Sequence, residues 1–311
     1  MELFPHDSKF DFMRLRWVSL GVAAVVMFIA LGAMAFNGFN YALDFTGGTV
    51  TELKFAKPVQ VEEVRQRLVA GGYEGVEVRT FGSGSDIVVR LPLREASEKQ
   101  VTGTDVQLAA QTADNRATLL RSDFVGPQIG EELAINGALA ALFVVIGFFG
   151  YVMVRFEWKF AAAAIVATLH DTIICAGWFA LSGHEFDLAV LAGILSVMGY
   201  SINDTIVVFD RVRENFRTLH KLSPVEVLNR SVNQTLSRTI ITSFVALLTV
   251  LALYFYGGQS LRGMAESQII GIIVGTLSSI FVACPLLLWF GATKEDLIVR
   301  TKEDPELDRR P

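Results

Sequence analysis

The sequence predicts a polytopic α-helical membrane protein: six transmembrane helices in a 1+5 arrangement, with one ferredoxin-like βαββαβ extracytoplasmic domain between helices 1 and 2. Three observations carry that prediction. The 311 residues are 52% hydrophobic with a mean hydropathy of +0.44, more apolar than a soluble domain with a polar surface. Four uncharged stretches, Trp17 to Leu43, Leu133 to Val154, Thr239 to Leu261 and Ser267 to Thr293, each exceed the ~18 residues needed to cross ~30 Å of hydrocarbon at ~1.5 Å per residue. The one long block rich in charge and glycine is residues 38–131.

The elements follow in order. Residues 1–16 form a short basic tail and 17–37 the first helix. Arg14 and Arg16 precede an apolar run that ends in Ala33-Met34-Ala35, as in a cleaved signal peptide. The run to Phe36 is longer than the ~7 to 15 residues of a signal core, so an uncleaved anchor is the better reading. Within 38–131, TGGTVTELKF (46–55) alternates like a strand, and VQVEEVRQRLVAGG (59–72) has helical spacing at Val61, Val64 and Leu68 before a glycine pair. GVEVRTFG and SDIVVRLP read as strands joined at Ser83-Gly84, Thr104 to about Thr112 as a second helix, and RATLLRSDFVGP as a last strand. The order is βαββαβ, one sheet with two helices on one face.

Five closely spaced spans complete the chain, at about 133–154, 160–181, 188–209, 236–256 and 267–291, within a bundle running from 132 to 291. A basic linker, 210–235, separates the fourth and fifth, with Ser223-Pro224 reading as a helix start on the cytoplasmic face. Residues 292–311 form a final tail. Most of the 27 Lys and Arg flank one set of span ends, whereas the alternate loops 182–187 and 257–266 hold Arg262 alone. That asymmetry puts both termini in the cytoplasm. Cys175 and Cys284 fall inside spans and read as small apolar packing residues.

Polar residues inside spans carry the functional signal. Asp204 interrupts GYSINDTIVVFDR (199–211), and a carboxylate near a helix centre costs ~2.5 to 3.5 kcal/mol on insertion scales. Tyr200 and Ser201 lie one turn back on its face, with Asn203 beside it. On the next span Arg238 and Thr242 share a face, extended by Thr235 and Thr249, and antiparallel packing brings Arg238 within reach of Asp204. Such a pair makes a switch, because an arginine that moves changes how firmly a buried carboxylate holds a proton. A proton crossing ~150 mV releases roughly 3.5 kcal/mol, comparable to burying one charge. Sodium satisfies the same logic. The structural alternative is that Asp204 and Arg238 only hold two spans together.

His170 and Asp171, in the third span, are secondary candidates. A tandem His-Asp invites a metal-hydrolase reading, but the chain has four histidines without useful spacing, so no metal site is expected. Two aspartates on adjacent spans also suggest an intramembrane aspartyl protease, but Ser201-Ile202-Asn203 stands where a G-x-G-D context is needed. An interhelical hydrogen-bonding pair is the simpler reading. In the last span Ser267, Gly271, Gly275 and Ser279 recur every four residues, a seam of small side chains that lets another helix approach closely. Asp44-Phe45-Thr46-Gly47-Gly48 reads as a tight turn into the first strand.

Taken together, LDFTGGT, FVGPQIG, RFEWK, GYSINDTIVVFDRVRENFR and SVNQTLSRTIITS closely resemble the SecF family, the smaller membrane subunits of the SecD-SecF complex of bacterial Sec protein export. The resemblance runs from the first span through the sixth. It implies half of a resistance-nodulation-division transporter architecture, with SecD as the other half, in the bacterial inner membrane. It also implies use of the proton-motive force to draw a translocating unfolded polypeptide through the SecYEG channel, with no covalent chemistry and no cofactor beyond the coupling ion. The family's functional residues match Asp204, Arg238 and Thr242, and LDFTGGT is the family turn. Implied partners are SecD, SecYEG, YajC, YidC and lipid, with no nucleic acid. A scaffold subunit that recruits SecD and the channel is the alternative function, and a small-molecule exporter would ordinarily need a longer chain.

Overall fold

A computed structural model describes residues 10–81, 83–92, 101–219 and 221–293; the first nine residues and all but the first two of the expected 292–311 tail lie outside them, and Ser83-Gly84, expected as a hairpin turn, instead opens the second strand of that hairpin, whose Ser83 pairs with Phe81. A 3₁₀ turn (Phe12–Leu15) leads into α1 (Arg16–Phe36), β1 (Asn40–Tyr41) and α2 (Leu43–Thr46). There follow β2 (Gly48–Phe55), α3 (Val61–Ala70), β3 (Glu77–Phe81), β4 (Ser83–Leu91), α4 (Gly103–Ala110) and β5 (Ala117–Val125). The remainder is helical apart from β6 (Glu185–Phe186): α5 (Pro127–Arg155), α6 (Trp158–Ser182), α7 (Leu188–Thr218), α8 (Pro224–Tyr256), α9 (Gln259–Ser278), a π-helical turn (Ser279–Ala283) and α10 (Cys284–Trp289). The chain forms two compact units, one of Tyr41–Ala140 and one of the described residues in Met1–Asn40 and Ala141–Pro311.

The smaller unit is the predicted βαββαβ domain. Its sheet order is β3-β4-β2-β5, antiparallel throughout, which is the ferredoxin-like arrangement. Alternation in β2 turns Leu53 and Phe55 inward onto Val64 and Leu68 of α3 and Val106 and Ala110 of α4. The shorter helix, α4, starts in a capping box in which Thr102 and Asp105 satisfy each other's backbone N–H.

The larger unit supplies the membrane bundle. Six helices are long and apolar enough to cross a bilayer, and they fall into two groups. The third, fourth and sixth have 50 to 61% of their apolar windows buried, against 11 to 17% for the first, second and fifth. So α6, α7 and α9 form the centre, and α1, α5 and α8 present residues such as Phe28, Phe143 and Phe244 outward. One end of the core is built on aromatics: Phe209 meets Phe160 edge-to-face at 5.5 Å and Phe156 at 6.3 Å.

The linker expected over 210–235 is a short one. Helix α7 continues to Thr218 and α8 begins at Pro224, with Ser223 as N-cap and Glu226 closing a capping box. Charges keep α7 helical past the apolar run because they find partners: Asp210 pairs with Arg155 at 2.9 Å and Arg213 with Glu157 at 2.9 Å.

The seam on the last span packs inside the chain, against α7. A Cβ at Gly193 would overlap the Ser267 hydroxyl, and one at Gly271 would overlap the Val197 side chain. A Cβ at Gly275 would stand 3.2 Å from that of Ser201. Residues 193, 197 and 201 thus meet 267, 271 and 275 in step, the pattern of two parallel helices in close contact.

Candidate functional site

The fourth step of that seam is Asp204. Its carboxylate is 6% exposed and takes hydrogen bonds from the Ser279 hydroxyl on Oδ2 at 2.8 Å and from the Thr239 hydroxyl on Oδ1 at 3.0 Å. Three elements therefore converge on it: α7 carries the acid, α8 brings Thr239, and the first residue of the π turn brings Ser279. The π turn has a local cause. Pro285 lacks the N–H that would bond the carbonyl of Phe281, so the helix widens just before it. Among the described residues no Lys, Arg or His lies within ion-pair distance of Asp204.

The expected Asp204–Arg238 pair is thus not in direct contact, although Arg238 is near enough to attract the carboxylate. Arg238 and Thr242 lie on an exposed face of α8, and the Thr242 hydroxyl bonds back to Arg238 O at 2.9 Å. The residue next to Arg238, Thr239, makes the contact instead, because a step of one residue turns a helix by ~100°. Ser279, read from sequence as a packing residue only, is the second donor. Its place at the end of the four-residue repeat was the available signal.

A second polar cluster adjoins the first. Asp171 is fully buried; Ser201 of α7 and Ser278 of α9 both donate to its Oδ2 at 2.5 Å, and His170 Nδ1 lies 2.8 Å from Oδ1. Tyr200 begins a third chain, donating to Ser243 at 2.7 Å, which meets Thr276 at 2.7 Å. The two remaining members of the expected polar face behave differently. Thr235 is buried and bonds its own helix at Ser231 O. Asn203 is exposed and lines a groove with Val144, Phe148 and Tyr151 of α5. The bundle centre therefore holds two carboxylates braced by hydroxyls from three helices.

The turn motif is a packed junction in the smaller unit. Asp44, Phe45 and Thr46 form the last three residues of α2, and Gly47 N bonds Leu43 O at 2.8 Å. Gly47 and Gly48 take φ of 66° and 126°, conformations that suit glycine. A side chain at Gly48 would overlap Leu91 O, and one at Gly130 would lie 3.2 Å from Gly47 N. Arg90 locks the turn by donating to Tyr41 O at 2.6 Å and to the Thr46 hydroxyl at 2.8 Å. LDFTGGT and FVGPQIG, far apart in sequence, are one piece of structure.

Comparison with known proteins agrees with this anatomy. The family described as Protein export membrane protein SecD/SecF, C-terminal, matches residues 105–293, and the SecD/SecF GG Motif matches residues 32–59. Protein translocase subunit SecF of Pseudomonas aeruginosa is 46% identical over 301 residues, covering 96% of this chain and 97% of that one. The counterpart from Escherichia coli O157:H7 is 40% identical over 312 residues, covering 99% and 97%. Among solved structures, SecDF from Thermus thermophilus aligns with a TM-score of 0.83 at 39% identity over 93% of this chain. A SecDF structure in a super-membrane-facing form aligns at 0.67 with 40% identity over 91% of it. The chain spans 40% and 39% of those two longer proteins. The six-span bundle, the turn motif and the full-length likeness to these subunits place the chain in the SecD/SecF family of protein-export membrane proteins, as a SecF-type subunit of the protein translocase.

Proposed function

We propose that the chain works with SecD in the bacterial inner membrane, both termini cytoplasmic, and uses the proton-motive force to promote late steps of protein translocation through the SecY channel and release on the far side. Asp204 is the coupling carboxylate. One observation carries this reading: a carboxylate at the bundle centre is held by two hydroxyls, with no cation within ion-pair distance among the described residues. An ionised carboxylate so placed is costly unless something neutralises it, and a proton from one side of the membrane does so. Arg238, exposed on the helix that also presents Thr239, is available to the carboxylate that family resemblance places on SecD.

When Asp204 takes a proton, its oxygens no longer draw the Thr239 and Ser279 hydroxyls equally, and the contact between α7, α8 and the π turn loosens. When it loses the proton the contact reforms. Repeated by a gradient, that exchange gives the bundle two packings.

The test is export of a reporter by inverted vesicles containing SecD, the channel and the chain, with a proton gradient or a sodium gradient imposed separately. Export stimulated by the proton gradient and abolished by a protonophore is expected. Stimulation by sodium alone would transfer the same site to sodium, and no response to either gradient would leave the scaffold role.

A further inference from the structure

Coupling through Asp204 leaves a second buried titratable pair unused. Asp171 takes three hydrogen bonds, two from Ser201 and Ser278 and one shared with His170 Nδ1. The other ring nitrogen, Nε2, is buried and has no hydrogen-bond partner. With the imidazole neutral and its proton on Nδ1, Nε2 is an unused lone pair inside the bundle. A proton taken up there gives an imidazolium that still donates from Nδ1, and the pair passes from a net charge of −1 to 0. Release from Nε2 restores the start.

This pair is joined to Asp204 through consecutive residues. Ser278 bonds Asp171 and Ser279 bonds Asp204, while Ser201 and Asp204 stand one turn apart on α7. Each of the two serine hydroxyls has one hydrogen and two acceptors. Ser278 reaches either Asp171 or Gly275 O at 3.1 Å, and Ser279 either Asp204 or Thr276 O at 3.0 Å. An ionised carboxylate draws the hydrogen across the helix interface. A protonated one donates to the serine oxygen and turns the serine hydrogen back to its own helix. At Asp171 the carboxylate stays ionised when Nε2 is protonated, but an imidazolium beside it weakens its pull on the Ser278 hydrogen in favour of Gly275 O, so both sites act at one place, the junction of α9 with the π turn.

We propose that His170 and Asp171 form a second protonatable site, coupled to Asp204 through the adjacent hydroxyls of Ser278 and Ser279. The proposal rests on the reading of Asp204 as the coupling carboxylate. Among the described residues, Cys175 on α6 interacts with Asp171, while Cys284 on α10 and Arg238 on α8 interact with Asp204. Between Trp17 and Phe36, α1 contributes no titratable group.

The experiment measures gradient-stimulated export against pH in vesicles carrying SecD, the channel and wild-type chain, His170→Asn, Ser278→Ala or Asp204→Asn, with SecD co-purification as the assembly control. Asparagine keeps a donor where Nδ1 stood and does not titrate. His170→Asn is expected to assemble and to lose a step that the wild-type pH profile shows. Ser278→Ala, which removes no titratable group, is expected to keep the step and shift its midpoint. A wild-type profile in His170→Asn overturns the proposal; so does an unshifted midpoint in Ser278→Ala, which decides the matter if His170→Asn fails to assemble. If Asp204→Asn retains the full gradient response, the reading of Asp204 fails instead.

Discussion

Asp204→Asn is expected to assemble with SecD at wild-type yield and to lose the whole gradient-dependent part of export, leaving only the gradient-independent rate. The substitution keeps the volume of the side chain and one carbonyl oxygen for Thr239 to bond. Ser279 accepts from the new amide and returns its hydrogen to Thr276 O, already 3.0 Å away. The hydroxyls of Thr239 and Ser279 both keep a partner, so packing survives. The single thing removed is the ability to change charge. Asp204→Leu is a different experiment: it strands the buried Thr239 hydroxyl at about 1 to 3 kcal/mol, and a defect there reports folding as much as coupling. Export by reconstituted vesicles, read beside SecD co-purification, separates the two effects.

Gly271→Leu is expected to disrupt the packing of the bundle severely. At Gly271 even a methyl group would overlap Val197, and both residues lie on helices already in backbone-close contact. Overpacking of a well-filled core costs typically about 1 to 3 kcal/mol, and more where neither backbone can yield. Separation of α9 from α7 also withdraws Ser279 from Asp204, so a folding defect and a coupling defect share one cause. The folded, monodisperse fraction of the detergent-purified chain is expected to fall severely for Gly271→Leu and partially for Gly271→Ala. Ile273→Leu, on the same helix but 47% exposed, is the control and is expected to behave as wild type. A monodisperse, wild-type yield of Gly271→Leu would contradict the packing described.

The parts legible in the sequence are those set by composition and periodicity. Four spans follow from uncharged runs of fixed minimum length and two more from apolar runs of similar length that carry His170, Asp171 and Asp204, and the βαββαβ order follows from alternation broken by Gly and Pro. Asp204 was legible because its cost is so high that it demands a reason. Its hydrogen-bond donors were not, because spacing shows which residues share a face and leaves open which face meets a neighbour. Arg238 and Thr242 do share a face, and that face is outward. Thr239, one position on, turns inward, and Ser279 arrives from a helix whose partner the sequence left open. The length of α7 was underestimated for a related reason: Asp210 and Arg213 look like the end of a span until Arg155 and Glu157 are seen to pair with them.

The central claim is that Asp204 gains and loses a proton in the working complex. Infrared difference spectra of the SecD-bound chain, recorded across acidification for wild type and Asp204→Asn, test it most directly. A protonated-carboxyl band is expected to appear in wild type on acidification and to be missing in the variant. Identical spectra for the two proteins, or a band that persists in Asp204→Asn and vanishes only when a carboxylate of SecD is replaced, would contradict it and leave Asp204 as a structural brace between α7, α8 and the π turn.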